Sequence, residues 1–208
     1  MAVAADHIRE LPPRAETVQR HAGIDRAFHW LTAACMLLLM ATGLLPHVGI
    51  RFEWLPLHWT TGIGLTALVV FHLVRSLVWK NIRTIWFSVA ALRARAVGKY
   101  SVAQKLMHHA MSLIVLATVI TGLLMLKKIS TPLLVRDPYI FSLSTWGYVY
   151  VIHGLAAIGA ITLVIAHVYF GLLPQNRMYL RAMVSGWMTR RDQRARVAGI
   201  RSGETHLT

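Results

Sequence analysis

The sequence predicts an all-α integral membrane protein, built as a bundle of four transmembrane helices. Hydrophobic residues make up 56% of its 208 residues and charged residues only 14%. The charged residues are concentrated between long apolar runs. An apolar run of about 18 residues or more is long enough to cross the hydrocarbon core of a bilayer as a helix. Helices are expected rather than open strands, because backbone polar groups in hydrocarbon must be satisfied within the segment.

Four runs have this length, and together they define the predicted domain organisation. They cover residues 27–47, 55–79, 106–126 and 146–173. The transmembrane domain is predicted over residues 27–174, between a polar N-terminal tail of residues 1–26 and a basic C-terminal tail of residues 175–208. The single cysteine, Cys35, excludes an intrachain disulfide and any cluster held by cysteines of this chain alone.

The basic residues predict the orientation of the bundle. The net charge of +14 flanks the apolar runs, so we interpret it as a topology signal and expect no nucleic-acid partner. The two tails, the loop at residues 80–105 and Arg75 hold eighteen of the 22 Lys and Arg residues. The other four are Arg51, Lys127, Lys128 and Arg136. Because basic residues favour the cytoplasmic side, both termini are predicted to be cytoplasmic, in a multi-pass protein of the bacterial inner membrane.

Histidines lie at two depths of the predicted bundle. His29 opens the first span on the cytoplasmic side, and His58 opens the second span on the outer side. On the fourth span, His153 lies in the outer half and His167, fourteen residues later, leaves nearly the same face about 21 Å away. An imidazole in hydrocarbon is costly unless it has a partner. The pairs His58 with His153 and His29 with His167 predict two stacked haems b, each held by two histidines.

Spacing alone does not decide which histidine pairs with His167, because a further histidine lies at the same depth as His29. His72 also follows His58 by fourteen residues, and it is an alternative to His29 as the partner of His167. His108 and His109, at the inner end of the third span, are further candidates.

Several small or basic residues are candidates for packing against a haem. Gly43, Gly62 and Gly122 lie on the histidine-bearing faces and would leave room for the edge of a porphyrin; the alternative is that they allow close helix packing. Arg26 precedes His29 by three residues and is a candidate to pair with a haem propionate. The alternative for Arg26 is a simple anchor on the cytoplasmic side.

Four sequence features together resemble the cytochrome b (gamma) subunit of membrane-bound formate dehydrogenases. They are IDRAFHW at 24–30, PLHWTTGIG at 56–64, VGKYSVAQKLM at 97–107 and the helix carrying His153 and His167. The resemblance runs from about residue 20 to residue 195. The Arg-x-x-His-Trp opening is shared by related cytochromes b of hydrogenases and thiosulfate reductases, whereas the VGKY loop is more specific to the formate dehydrogenase branch.

The resemblance implies a ligand set, partners and a path for electrons. His58 and His153 would hold the outer haem, and His29 and His167 the inner one. The resemblance therefore favours His29 over His72 as the partner of His167. A molybdenum- or tungsten-containing alpha subunit would oxidise formate on the outer side, and an iron–sulfur beta subunit would pass the electrons to this chain. The chain would then reduce a quinone, either menaquinone or ubiquinone, near the cytoplasmic face. Assembly of this heterotrimer into a higher oligomer is left open.

The resemblance also implies a quinone site before the third span. Its candidate residues are Lys99, Tyr100, Ser101, Gln104 and His108. This chain is thus expected to carry quinone reduction but no catalytic residues for formate oxidation. Two alternatives remain from the sequence. One is the equivalent subunit of a hydrogenase, a thiosulfate or polysulfide reductase or another molybdoenzyme; the other is a proton or metal-ion transporter that uses histidines and binds no haem.

Overall fold

The computed structural model describes residues 16–78 and 102–195. The prediction of a mostly helical protein with four membrane-length helices is confirmed within these residues. The four helices are α1 (Gly23–Leu44), α2 (Trp54–Val78), α3 (Val102–Met125) and α4 (Leu143–Leu172). Short 3-10 helices at Leu45–Val48 and Leu126–Lys128 continue α1 and α3.

The helix bounds differ from the predicted spans by several residues. The first span was predicted from residue 27, whereas α1 begins at Gly23 and includes Asp25 in its first turn. An acidic side chain there is favourable because the N-terminus of a helix carries a partial positive charge. Hydropathy detects the part of a helix that lies in hydrocarbon, so polar turns at its ends are not detected.

A buried apolar tier lies at the centre of the bundle. It takes one residue from each membrane-length helix, Met36, Leu65, Val115 and Ala160. Each lies seven residues, about two helical turns, from a residue on either side along the same helix face. The residues on one side are His29, His72, His108 and His167, and those on the other are Gly43, His58, Gly122 and His153. We call the first set, with four histidines, the inner tier and the second set, with two histidines and two glycines, the outer tier.

Close packing inside the bundle contrasts with an apolar outer surface. A Cβ atom added at Gly159 of α4 would lie 2.9 Å from Cδ1 of Ile114 on α3, so the glycine permits this close approach. Large apolar side chains such as Leu73 and Leu113 are exposed. Such a surface fits a lipid environment, in which an exposed leucine has no cost.

The segments on either side of the bundle form a second compact unit. Its described residues are 16–26 and 171–195. Strand β1 (Thr17–Gln19) pairs antiparallel with β2 (Trp187–Thr189), and a short helix, α5 (Arg177–Ser185), precedes β2. Gly186 ends α5 with a φ of 91°, in the left-handed region that favours glycine.

This terminal unit was not foreseen by treating the two segments as polar tails. Each strand has only three residues, so neither shows a sustained alternation of apolar and polar side chains. Their pairing is also long-range in sequence, which local pattern cannot detect. An ion pair between Arg190 and Glu16, with a nitrogen–oxygen distance of 2.7 Å, lies beside the strands.

The central tier generates a stability prediction. Leu65→Ala should lower the free energy of unfolding by roughly 2–5 kcal/mol, because the leucine is 2% exposed and its removal leaves a cavity. Leu73→Ala on the same helix is the matched control, since this leucine is 50% exposed. Reversible unfolding in mixed micelles measures both. Equal losses for the two variants would contradict a close-packed centre.

Candidate functional site

His58 of α2 and His153 of α4 meet at the outer tier. Their ring centroids are 6.4 Å apart, and the ring planes are inclined at 70°. The spacing along α2 and α4 explains the meeting, because each histidine lies seven residues from a member of the buried central tier, Leu65 and Ala160 respectively. The two rings are therefore held on the interior faces of their helices.

Each outer histidine is hydrogen-bonded to a buried threonine. Thr42 Oγ1 lies 2.8 Å from His58 Nδ1, and Thr121 Oγ1 lies 2.8 Å from His153 Nδ1. The hydroxyl of Thr42 also donates to the Leu38 carbonyl at 2.8 Å. A hydroxyl has one proton, and a carbonyl can only accept. With its proton on the carbonyl, the threonine oxygen can accept from the Nδ1–H of His58.

Thr121 repeats this arrangement on α3. Its hydroxyl donates to the Ala117 carbonyl at 2.6 Å, so its oxygen can accept from Nδ1–H of His153 at 2.8 Å. With the proton on Nδ1, the other ring nitrogen, Nε2, keeps a free lone pair. Both outer imidazoles are thus prepared to bind a metal through Nε2.

Glycines line the two outer imidazoles. A Cβ atom added at Gly43 would lie 3.7 Å from Cε1 of His58, and one added at Gly122 would lie 3.4 Å from Cε1 of His153. Larger side chains at these positions would therefore press on the rings. The third predicted glycine behaves differently, because Gly62 lies against Leu39, at 4.0 Å from its Cδ2.

His29 of α1 and His167 of α4 meet at the inner tier. Their ring centroids are 6.2 Å apart, with the planes inclined at 47°. Trp30 lies edge-on to His29 at 5.1 Å. The Nδ1 atom of His29 is buried without a hydrogen-bond partner among the described residues. An orphaned nitrogen of this kind is costly, and a group from outside the chain would help to offset that cost.

A further pair at the inner tier joins His72 of α2 to His108 of α3. The ring centroids are 6.1 Å apart, with the planes inclined at 61°. Phe28 stacks on His72 at 4.7 Å, nearly parallel. The structure thus brings His72 to His108, and it brings His29 to His167.

The spacing of these pairs fits an iron held between two imidazoles. An imidazole nitrogen binds a first-row metal at about 2 Å and lies about 1.2 Å from its ring centroid, so two axial rings have centroids about 6.3 Å apart. The outer and inner pairs, at 6.4 and 6.2 Å, both match this value. His72 and His108, at 6.1 Å, match it as well. The outer pair combines this spacing with flanking glycines and with hydrogen bonds from both Nδ1 atoms to threonines.

The remaining predicted site residues lie apart from these pairs or outside the described residues. Arg26 donates from Nη1 to the Ser185 carbonyl at 2.8 Å, within the terminal unit. Gln104 is half-buried in the first turn of α3. Lys99, Tyr100 and Ser101 lie outside the described residues.

Four apolar helices with imidazoles paired across their interior define the class: a membrane cytochrome b. The family model described as "Prokaryotic cytochrome b561" matches residues 20–186, and the chain belongs to this family. Membership implies haem b as a cofactor and electron transport as the role. It also confirms the prediction of a multi-pass protein of the bacterial inner membrane.

Among curated proteins, the chain is similar to the cytochrome b556(fdo) subunit of formate dehydrogenase from Escherichia coli (strain K12). The two are 25% identical over an alignment of 198 positions, which covers 85% of this chain and 88% of the relative. The same subunit from Escherichia coli O6:H1 and O157:H7 matches equally. The resemblance to formate dehydrogenase cytochromes b, inferred from short motifs, is confirmed over most of the chain.

Sequence reasoning missed the two threonines. The available signal was a short repeat, Thr-Gly-Leu-Leu, at residues 42–45 and 121–124. In each copy the threonine contacts an outer histidine through a hydrogen bond, and the glycine lies beside the same ring.

The glycines generate a prediction on cofactor content. Gly122→Leu should lower the haem b bound per chain, because the side chain would displace His153 from its position opposite His58. Gly64→Leu is the matched control, since an added Cβ there meets no atom within 4 Å. A pyridine haemochrome assay measures both. Unchanged haem content in the Gly122 variant would contradict a glycine-lined haem site.

Proposed function

We propose that this chain is the dihaem cytochrome b subunit of a formate dehydrogenase complex. It carries electrons from an iron–sulfur partner on the outer side to a quinone near the cytoplasmic face. The observation that carries the proposal is the pair of bis-imidazole sites on α4, where His153 meets His58 and His167 meets His29. Similarity to a formate dehydrogenase cytochrome b over 85% of the chain supports the choice of donor.

The residues of this chain would hold one haem at each tier. When bound, haem b supplies reversible one-electron chemistry. Iron held by two histidines would have no open position, so His58 and His153, like His29 and His167, would disfavour oxygen binding. The buried central tier, with Leu65 and Ala160 at its core, excludes water from the space between the two sites.

The spacing on α4 makes the two sites span the membrane. Fourteen residues separate His153 from His167, which is a rise of about 21 Å on an axis that crosses roughly 30 Å of hydrocarbon. One site therefore lies within reach of each membrane surface. This is the arrangement that electron transfer from an outer donor to an inner acceptor requires.

Quinone reduction is proposed at the inner tier. His108 and His72 lie together, and Gln104 lies one turn before His108 on α3. Quinone reduction takes up protons, and imidazoles exchange protons near neutral pH. We assign His108 and Gln104 as candidates to hydrogen-bond the quinone carbonyls, with Arg26 left as a candidate partner for an inner propionate.

The pairing of β1 with β2 supports placing both termini on one side of the membrane. Residues 17–19 and 187–189 lie at opposite ends of the chain, and they share one small sheet. Four spans bring the two ends to the same side, and the distribution of Lys and Arg favours the cytoplasm.

The outer loop between α3 and α4 offers a surface for the iron–sulfur partner. Hydrogen bonds join this loop to the residues on either side of it: Asp137 N donates to Lys127 O, Arg136 Nε to Lys128 O, and Trp146 Nε1 to Pro138 O. It presents Val135 and Tyr139 at 85% and 91% exposure. Apolar side chains exposed on an ordered loop are typical of a protein interface.

The ligand assignment predicts the haem content of histidine variants. The wild-type chain should bind two haems b, and His29→Ala, His58→Ala, His153→Ala and His167→Ala should each bind one, because an iron that loses one axial ligand is held weakly. His72→Ala should keep both. Pyridine haemochrome assays on purified protein measure this.

Two other outcomes would overturn the assignment. Loss of a haem in His72→Ala with retention in His29→Ala would move the inner site to His72. A colourless wild-type protein would instead favour a transporter that uses its histidines without haem.

If the outer loop is the docking surface, charged substitutions in it should release the partner subunits. Tyr139→Asp together with Val135→Asp should reduce co-purification of the iron–sulfur and molybdenum or tungsten subunits at least tenfold, because two charges would be buried in the interface. Haem content should stay unchanged. Val184→Asp on α5 is the control, since this valine is also exposed but lies in the terminal unit.

Co-purification is measured by affinity capture of a tagged chain followed by mass spectrometry of its partners. An intact complex with the double variant would contradict the proposed docking surface. Capture of hydrogenase subunits, or of those of a thiosulfate or polysulfide reductase, would change the donor and leave the haem sites in place.

A further inference from the structure

The two buried polar side chains of the described residues are Thr42 and Thr121, at 1% and 6% exposure. They lie on different helices, α1 and α3, and contact histidines on the other two, α2 and α4. A buried hydroxyl is costly unless its hydrogen bonds are satisfied, and here each one is. The two threonine–histidine contacts are equivalent and lie in the same tier, which indicates that the two threonines have the same role.

Helix packing alone does not account for these hydroxyls. Thr66 on α2 satisfies its hydroxyl by donating to the Gly62 carbonyl at 2.8 Å, in the same way that Thr42 donates to Leu38 and Thr121 to Ala117. What distinguishes Thr42 and Thr121 is the second contact, which their oxygens accept from an imidazole.

We propose that Thr42 and Thr121 are positioning residues that fix the tautomer of His58 and His153 and lower the reduction potential of the outer haem. This inference rests on the proposed dihaem function. Each threonine oxygen accepts the Nδ1 proton, so each ring can present only Nε2 as a ligand. A hydrogen bond from Nδ1–H to an acceptor also makes Nε2 more basic, and a more basic ligand favours ferric over ferrous iron.

The inner tier differs in this respect. The Nδ1 atom of His29 is buried with no hydrogen-bond partner within residues 16–78 and 102–195, so no such acceptor raises the basicity of His29 there. The two haem sites would therefore differ in potential for a reason built into their surroundings. The threonine hydrogen bonds by themselves would give the outer haem the lower reduction potential of the two.

The test compares threonine variants by redox titration of the purified complex. The outer haem is identified as the optical wave that is missing in His58→Ala. Thr42→Val and Thr121→Val keep the volume of the side chain and remove the acceptor. We expect each to shift the outer haem toward the reduced form by about tenfold in equilibrium constant, which is 59 mV for a one-electron couple. The wave of the inner haem should not move.

Two further readouts separate positioning from folding. The low-spin ferric signal of the outer haem in electron paramagnetic resonance depends on the angle between its axial ring planes, so it should broaden or shift in the valine variants. The affinity for the outer haem should fall about 10–100-fold, as for other contacts that orient a metal ligand. Thr42→Ser and Thr121→Ser should restore both signals, and Thr66→Val is the matched control.

Each outcome is decisive for one proposal. A wild-type protein without an outer haem would overturn the dihaem function itself. An outer haem with unchanged potential and unchanged paramagnetic signal in both valine variants would overturn the role of the threonines and leave the dihaem function standing. Failure of serine to restore a shifted potential would also overturn it, because the shift would then come from packing.

Discussion

An imidazole inside a bilayer must have a partner, and the interior of this bundle is organised around that requirement. Each histidine of the inner and outer tiers lies opposite another on a different helix, at centroid distances between 6.1 and 6.4 Å. Direct contact between two rings would bring them closer, to about 5 Å for a linear hydrogen bond. The gap that remains is the width of a metal ion with its two bonds. A haem held between two facing rings would fill this gap.

A spacing of seven residues along each helix places these pairs at two depths of the membrane. Two turns separate each inner-tier residue from the apolar core, and two more reach the outer tier. The tiers are not equivalent. The outer tier combines two histidines with two glycines, whereas the inner tier has four histidines. The outer tier is thus suited to hold a cofactor, and the inner tier has two more imidazoles than one bis-histidine site uses.

The sequence predicted the four helices and the depths of the histidines, because both depend on apolar length and on helical periodicity. It left His29 and His72 as alternatives, since residues at one depth on different helices are not ranked by spacing. The sequence also did not predict the contacts between helices. Gly62, which shares a face with His58, lies beside Leu39. Arg26, three residues before His29, donates to the carbonyl of Ser185, 159 residues away. Such contacts depend on helix rotation and long-range pairing, which local patterns do not determine.

The location of iron tests the central claim most directly. An anomalous difference map from crystals of the purified protein, measured at the iron absorption edge, shows where iron lies without reference to activity. The account predicts two iron peaks, one midway between His58 and His153 and one midway between His29 and His167. A protein without iron, or a peak between His72 and His108 in place of the inner one, would contradict it.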